Sequence, residues 1–148
     1  MNPAWDAYGA GEVPTLIRPR IMHALGALDR AVRARDPARA RQAAIDVAQS
    51  TLDLELPYRP ASEVNLARFD LWAAQLMVDA KAGDAAAVRG DVFTLGYIRD
   101  RILHALNPAD VTAMNIQLGR LQIASADGAL ARAARAARKL RAVTARLV

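Results

Sequence analysis

Apolar side chains recur at every third or fourth position from Ile17 onward, and turn residues interrupt this pattern at similar distances. A repeat of this period places the apolar side chains on one face of an α-helix. Alanine and leucine favour helices, whereas the aromatic residues that favour strands make up only 5% of the chain. The sequence therefore predicts an all-α fold, an antiparallel up-and-down bundle of about six helices in three helical hairpins.

The predicted helix boundaries rest on residues that begin or end helices. Asp36-Pro37 and Asn107-Pro108 each combine a capping side chain with a proline suited to the first helical position. Gly83-Asp84 and Asp127-Gly128 are typical of tight turns between helices, and we expect Ser62 to cap the third helix. The residues predicted to face the core are Ile21, Leu25, Leu28, Val32, Ile45, Ala48, Leu52, Leu56, Phe69, Trp72, Leu76, Ala80, Val88, Val92, Leu95, Ile102, Leu106, Val111, Met114, Leu118 and Leu121.

The net charge is unevenly distributed along the chain. The sequence holds 20 basic and 15 acidic side chains, which gives a net charge of +5. Residues 1–106 contain equal numbers of both signs, so the whole excess lies in residues 107–148. We predict an irregular arm at 1–16 and a helical bundle at 17–148, in which 17–106 form a four-helix core and 107–148 a basic C-terminal hairpin.

Several classes of chemistry lack the residues that they require. Without cysteine the chain has no disulfide, no thiolate zinc ligand and no thiol nucleophile. It contains neither Gly-x-Ser-x-Gly nor the phosphate-binding Gly-x-x-x-x-Gly-Lys-Ser/Thr. No apolar run approaches the ~20 residues that cross a membrane. We therefore expect a protein that is not an enzyme and does not insert into membranes. Its location is either the cytoplasm or, if a signal peptide has been removed, outside it.

The segment Lys81-Ala82-Gly83-Asp84-Ala85-Ala86-Ala87-Val88 resembles the third-to-fourth helix hairpin of the bundle cytochromes of the c′ and b562 type. This resemblance implies a four-helix-bundle scaffold. The haem attachment Cys-x-x-Cys-His is absent, and His23 and His104 fall about 160° from the apolar stripes of their helices. Met22 lies nearer its stripe, where methionine usually fills a core. We expect no haem and no other cofactor.

One polar group interrupts the apolar stripe of the fourth predicted helix. Burying a charge costs several kcal/mol unless it is paired, so Arg99 needs a carboxylate, and Asp79 or Asp53 is expected to supply it. Gln49, Asn115 and Gln122 are also predicted to face inward. These residues form either a polar layer that fixes helix register or a pocket in which Arg99 binds the anionic group of a small ligand. A divalent cation held by aspartates is a further alternative, although no motif for a metal is present.

Two further segments display side chains that suit binding. Leu56-Pro57-Tyr58-Arg59-Pro60 is a proline-bracketed loop in which Tyr58 and Arg59 either stack on a ligand or merely cover the bundle end. The last predicted helix carries a cationic face that includes Arg132, Arg135, Arg138 and Lys139 and has no acidic residue. This face is solvated, or it binds nucleic acid or an acidic partner; a membrane-surface helix is disfavoured because its apolar face is mostly alanine.

A second apolar stripe leads to our first functional hypothesis. Phe93 and Tyr97 lie far from the main apolar face of their helix, and any of these side chains left exposed would form a partner or dimer surface. We therefore expect a non-enzymatic helical-bundle interaction protein that pairs with itself as a homodimer. The alternatives are a small-ligand or metal binder at the polar pocket and a nucleic-acid-binding module. The last lacks interleaved aromatic residues and a recognition-helix motif.

Overall fold

The computed structural model describes residues 16–147, and these residues form six α-helices and no strand, which confirms the predicted all-α fold. The predicted arm at 1–16 lies outside the described residues except for Leu16, which is exposed in a turn. None of the described helices combines the length and apolar character needed to span a membrane. The helices are α1 (Ile17–Arg33), α2 (Pro37–Glu55), α3 (Ala61–Ala82), α4 (Ala85–Ile102), α5 (Pro108–Ala126) and α6 (Leu130–Thr144), and a 3₁₀ turn at Leu103–Ala105 follows α4.

Most of the predicted helix starts are confirmed by side-chain caps. Asp36 and Asp84 each accept two backbone N–H hydrogen bonds in the first turns of α2 and α4, and Asn107 accepts one in α5. The predicted cap at Ser62 is wrong. Because Pro60 has a fixed φ of −53° in an extended conformation, α3 begins directly after it, without a side-chain cap, and Ser62 lies in its first turn.

Glycines close two of the turns between helices. Gly83, with φ of +81°, follows α3, and Gly128, with φ of +66°, follows α5. This left-handed conformation is disfavoured for residues with a Cβ atom, so these turns require glycine. The turns are short, and each therefore joins two antiparallel neighbours.

The chain divides into two compact units, residues 1–58 and 59–148. In the described part of the first unit, α1 packs against α2. In the second unit α3 contacts α4 and α6, and α5 also contacts α4 and α6, so that four helices close a ring. The four-helix core predicted for 17–106 is therefore wrong, because amphipathic periodicity identifies the buried face of a helix but not the helix that covers it.

Small residues on α6 set the geometry of the second unit. Large apolar side chains of α3, α4 and α5 meet alanines of α6, which lets α6 approach its neighbours closely. The predicted core residues of α3, α4 and α5 are either buried or packed against this core, with Val111 half-buried. The fully or almost fully buried side chains include Phe69, Leu76, Val88, Leu95, Ile102, Met114, Leu118, Leu121, Ala133, Ala137 and Leu140.

The buried stripe of α1 differs from the prediction. Ile21, Ala24 and Ala31 are buried, whereas Val32, which was expected to face inward, is 60% exposed. Small side chains line the contact between α1 and α2. The buried face of α1 is therefore centred on its alanines and not on Val32. Leu56 at the end of α2 is likewise exposed rather than buried, because the helix ends one residue before it.

An ion pair joins α3 to α6. The guanidinium of Arg141 donates two parallel hydrogen bonds to the carboxylate of Asp70, at 2.9 and 2.7 Å. The buried hydroxyl of Thr144 shares its one hydrogen between Asp70 Oδ1, at 3.1 Å, and the backbone oxygen of Arg141, at 2.9 Å. The hydrogen bonds to Asp70 raise the pKa of Arg141, and its partial burial opposes this shift. Bidentate geometry and a third donor make this pair stronger than an ordinary surface ion pair.

We expect Asp70→Ala to lower the free energy of unfolding by about 1 to 2 kcal/mol, because Arg141 loses two hydrogen bonds and Thr144 keeps only its bond to the Arg141 carbonyl. Chemical denaturation measures this loss. In a double-mutant cycle with Arg141→Ala, the double variant should lose less stability than the sum of the losses in the two single variants. Strictly additive losses would mean that the interaction between Asp70 and Arg141 does not contribute to stability.

Because the ring of α3 to α6 has its own core, residues 59–148 should fold without the first unit. We expect this fragment to be helical by circular dichroism and to unfold in one cooperative thermal transition. A fragment with native helix content but no cooperative transition would contradict an independent core.

Candidate functional site

The predicted pairing of Arg99 with Asp79 or Asp53 is not the pairing observed. Arg99 Nη1 donates to Asn115 Oδ1 on α5 at 2.9 Å, and its buried Nε lies 2.9 Å from Asp100 Oδ1 without hydrogen-bond alignment. Asp79 lies at the other end of the α3–α4 hairpin, where it interacts with Asp91. Asp91 and Arg99 are eight positions apart, about 12 Å along α4. Arg99 therefore belongs to a polar link between α4 and α5.

The other residues of the predicted polar layer are also placed by the structure. Gln49 and Asp53 are half-buried on α2, in the first unit. Asn115 and Gln122 were expected on the inner face of α5 but are exposed, since they lie at its edge toward α4. Their orientation corrects the prediction of a buried pocket centred on Arg99.

The proline-bracketed loop keeps its tyrosine in solvent. Tyr58 is 81% exposed, so the expectation that it covers the bundle end is wrong. Arg59 donates to Glu63 Oε2 at 3.3 Å, one turn further along the chain. This local bond turns the cation toward the start of α3.

Asp91 is the most buried acidic side chain of the described residues, with 5% of its surface exposed. It interacts with Asp79 across the α3–α4 hairpin, and its buried Oδ2 has no hydrogen-bond partner, while Gln75 Nε2 donates to Asp79 Oδ2 at 2.9 Å. Burial raises the pKa of Asp91 to about 7; the interaction with Asp79 and the charge of Asp84 add to the shift. Asp91 therefore binds its proton up to a higher pH than an ordinary carboxyl group does.

The carboxyl pair is not part of a larger group of metal-ligating side chains in the described part of the chain. Within residues 16–147 no cluster of three or more histidine or acidic side chains could hold a metal ion. His23 and His104 are both exposed, as their positions on the helical wheel predict. Neither Asp79 nor Asp91 lines the surface grooves that flank α5. We assign the pair a structural role in the α3–α4 hairpin.

A groove of about 430 Å³ runs between α5 and α6. Its floor is apolar and includes Ile123, which is 63% exposed. Its rims carry four cationic side chains, one from α5 and three spaced three or four residues apart on α6, so that they share a helix face. The lining residues are Gln117, Arg120, Ile123, Ala124, Arg132, Arg135, Ala136 and Lys139.

The cations of this groove are poorly compensated. Arg132 pairs with Asp127 at 2.9 Å, and Arg120 donates only to the neutral Gln117, at 3.4 Å. Arg135 and Lys139 have no acidic partner among residues 16–147. The groove therefore has a positive potential that an anionic group could neutralise.

The sequence identified most of this groove but not all of it. Arg132, Arg135 and Lys139 were predicted as one cationic face and do line the groove together. Arg138 is exposed but does not line it. Arg120 was missed because it is a single cation on α5, and only the packing of α5 on α6 brings it to the same rim.

The outer face of α4 exposes two aromatic rings. Phe93 is 80% and Tyr97 58% exposed, and Arg101 lies 5.7 Å from the centre of the Tyr97 ring while donating to its hydroxyl at 3.1 Å. The predicted second apolar stripe of α4 is thus left uncovered within the described residues. Beside it, a groove of about 520 Å³ between α4 and α5 is lined by Val92, Gly96 and residues of α5.

Comparisons with known proteins give no functional lead. No protein-family model matches the chain, and neither the curated proteins nor the solved structures contain a significant match.

Since folding raises the pKa of Asp91, the folded state binds its proton more tightly than the unfolded state does. Stability from this proton is complete below the unfolded pKa near 4 and is lost as the pH rises to about 7. We expect the free energy of unfolding to fall by roughly 2 to 4 kcal/mol over this range.

Asp91→Asn keeps the shape of the protonated carboxyl group and replaces its O–H donor with an amide N–H donor, but the amide does not titrate. This variant should be more stable than the parent at pH 8 and should lose most of the slope between pH 4 and 7, as measured by urea unfolding. Asp46→Asn, at an exposed site on α2, is the control. A parent slope that survives in Asp91→Asn would assign the proton to another group.

Proposed function

We propose that this protein is a non-enzymatic interaction module that binds an acidic segment of a partner protein in the groove between α5 and α6. The observation that carries the proposal is the combination of an apolar floor with four cationic side chains on the rims, of which Asp127 pairs with one, Arg132. A partner segment with one apolar and one acidic face would match both parts of the groove.

Charge contributes to this proposal mainly through recognition. Arg135 and Lys139 are exposed, so their attraction to acids increases the rate of encounter and selects the partner more than it adds affinity. Affinity would come from covering Ile123, which is 63% exposed, because buried apolar area contributes about 25 cal/mol per Å², whereas Ala124 and Ala136 are already buried. A weak, salt-sensitive complex is the expected outcome.

Nucleic acid is the main competing ligand for the same cations. Phosphates would also suit the spacing of Arg132, Arg135 and Lys139. However, no aromatic side chain lines the groove, and exposed bases would lack a stacking surface. The apolar floor instead favours a protein segment. A small anionic ligand at Arg99 has less support, because Nη1 of that residue is already bonded to Asn115.

The proposal can be tested with a fluorescent helical peptide that has leucines on one face and glutamates on the other. Two reference probes are a peptide of the same composition in scrambled order and a single-stranded oligonucleotide. At low salt we expect anisotropy to report binding of the amphipathic peptide in preference to both. Equal binding of the scrambled peptide, or tighter binding of the oligonucleotide, would overturn the proposal.

Charge reversal locates the binding site. Arg135→Glu and Lys139→Glu should each weaken peptide binding about tenfold, since each replaces an attraction with a repulsion. Arg138→Glu is the matched control: it makes the same change of net charge on the same helix but outside the groove. An equal loss in all three variants would show that net charge alone drives the binding.

A further inference from the structure

The outer face of α4 carries one continuous exposed stripe. It contains Phe93, Gly96 and Tyr97. A charged side chain lies at each end, Arg89 toward the start of the helix and Asp100 toward its end. We infer that two copies of this chain pair through this stripe, with their α4 helices antiparallel about a two-fold axis. This inference is independent of the proposed α5–α6 groove.

A two-fold axis fixes which residues meet. When antiparallel helices cross between Thr94 and Leu95, Phe93 of one copy lies opposite Gly96 of the other, because the two positions are equally far from the crossing point. The same register places Arg89 opposite Asp100. Each contact then occurs twice, as an isologous interface requires.

The glycine provides space for the incoming ring. A Cβ atom built on Gly96 meets nothing within 4 Å, and the glycine borders the groove of about 520 Å³ between α4 and α5. Glycine is disfavoured in the interior of a helix. No close neighbour of Gly96 within one copy requires a glycine at this position. The ring of Phe93 from a second copy would occupy that space, in the way that knobs fill holes between paired helices.

The charges at the two ends are complementary. Arg89 is exposed and has no acidic partner among residues 16–147. The side chain of Asp100 is 64% exposed, so a second guanidinium can reach it from solvent beside its 2.9 Å contact with Arg99. Antiparallel pairing joins these groups in two intermolecular ion pairs, whereas a parallel pair would bring like charges together.

The area of the stripe indicates a modest affinity. Phe93 and Tyr97 from two copies supply four rings, and an aromatic side chain covers about 150 to 250 Å² when fully buried. Because Phe93 is 80% and Tyr97 58% exposed, the four rings offer roughly 400 to 700 Å² for burial, well below the roughly 1,200 Å² of the smallest stable interfaces. The dimer should therefore dissociate on dilution, and it is best measured by sedimentation velocity over a wide range of concentration.

Charge reversal tests the register. Arg89→Glu and Asp100→Arg should each raise the dissociation constant about tenfold or more, because each turns two attractive contacts into two repulsive ones. An equimolar mixture of the two variants should dimerise again, since both contacts are then between opposite charges. The double variant should also dimerise. Arg138→Glu, on α6, is the control and should behave as the parent.

A monomeric parent at the highest concentration reached would overturn the inference. So would variants that dimerise as the parent does, or a mixture that stays monomeric. Gly96→Leu fills the hole and should abolish dimers while the thermal transition remains. Because Phe93→Ala alters only the α4 stripe, it should weaken dimers and leave peptide binding at the α5–α6 groove unchanged, which separates this inference from the proposed function.

Discussion

Close packing of small side chains on α6 is the interaction on which the second unit depends. Ala133 and Ala137 are completely buried against large side chains of α3 and α5. Alanine gives little apolar area, but it lets α6 approach both neighbours and so lets their large side chains fill the centre. The cationic side chains of α6 then emerge at its flanks. Arg141 on one flank bonds to Asp70, while Arg135 and Lys139 on the other line the groove with α5.

Local structure could be predicted from the sequence to a large extent, because it depends on short-range chemistry. The caps at Asp36, Asp84 and Asn107 follow from side-chain oxygens placed before a helical stretch. The buried faces of α3, α4 and α5 follow from their periodicity. The grouping of helices could not be predicted in this way, since each apolar face fits several partners. Both Val32 and the four-helix grouping were therefore assigned wrongly.

Polar sites were harder to predict because they depend on the axial register between neighbouring helices. The antiparallel turn at Gly83 pairs Asp79 with positions near the start of α4, and this alone excludes Arg99 as its partner. The same register brings Asp91 opposite Asp79. The cationic face of α6 was visible because it lies on one helix, whereas Arg120 required knowledge of the α5–α6 contact.

The two proposed surfaces lie on different sides of α5 and share no residue. The α4 stripe borders the α4–α5 groove, and the cationic groove lies between α5 and α6. Pairing through α4 would therefore leave both cationic grooves of a dimer open. A partner with two acidic segments could then bind both copies, and the second contact would form at a high effective concentration. Because each surface is small, such linkage would give a useful affinity that neither surface provides alone.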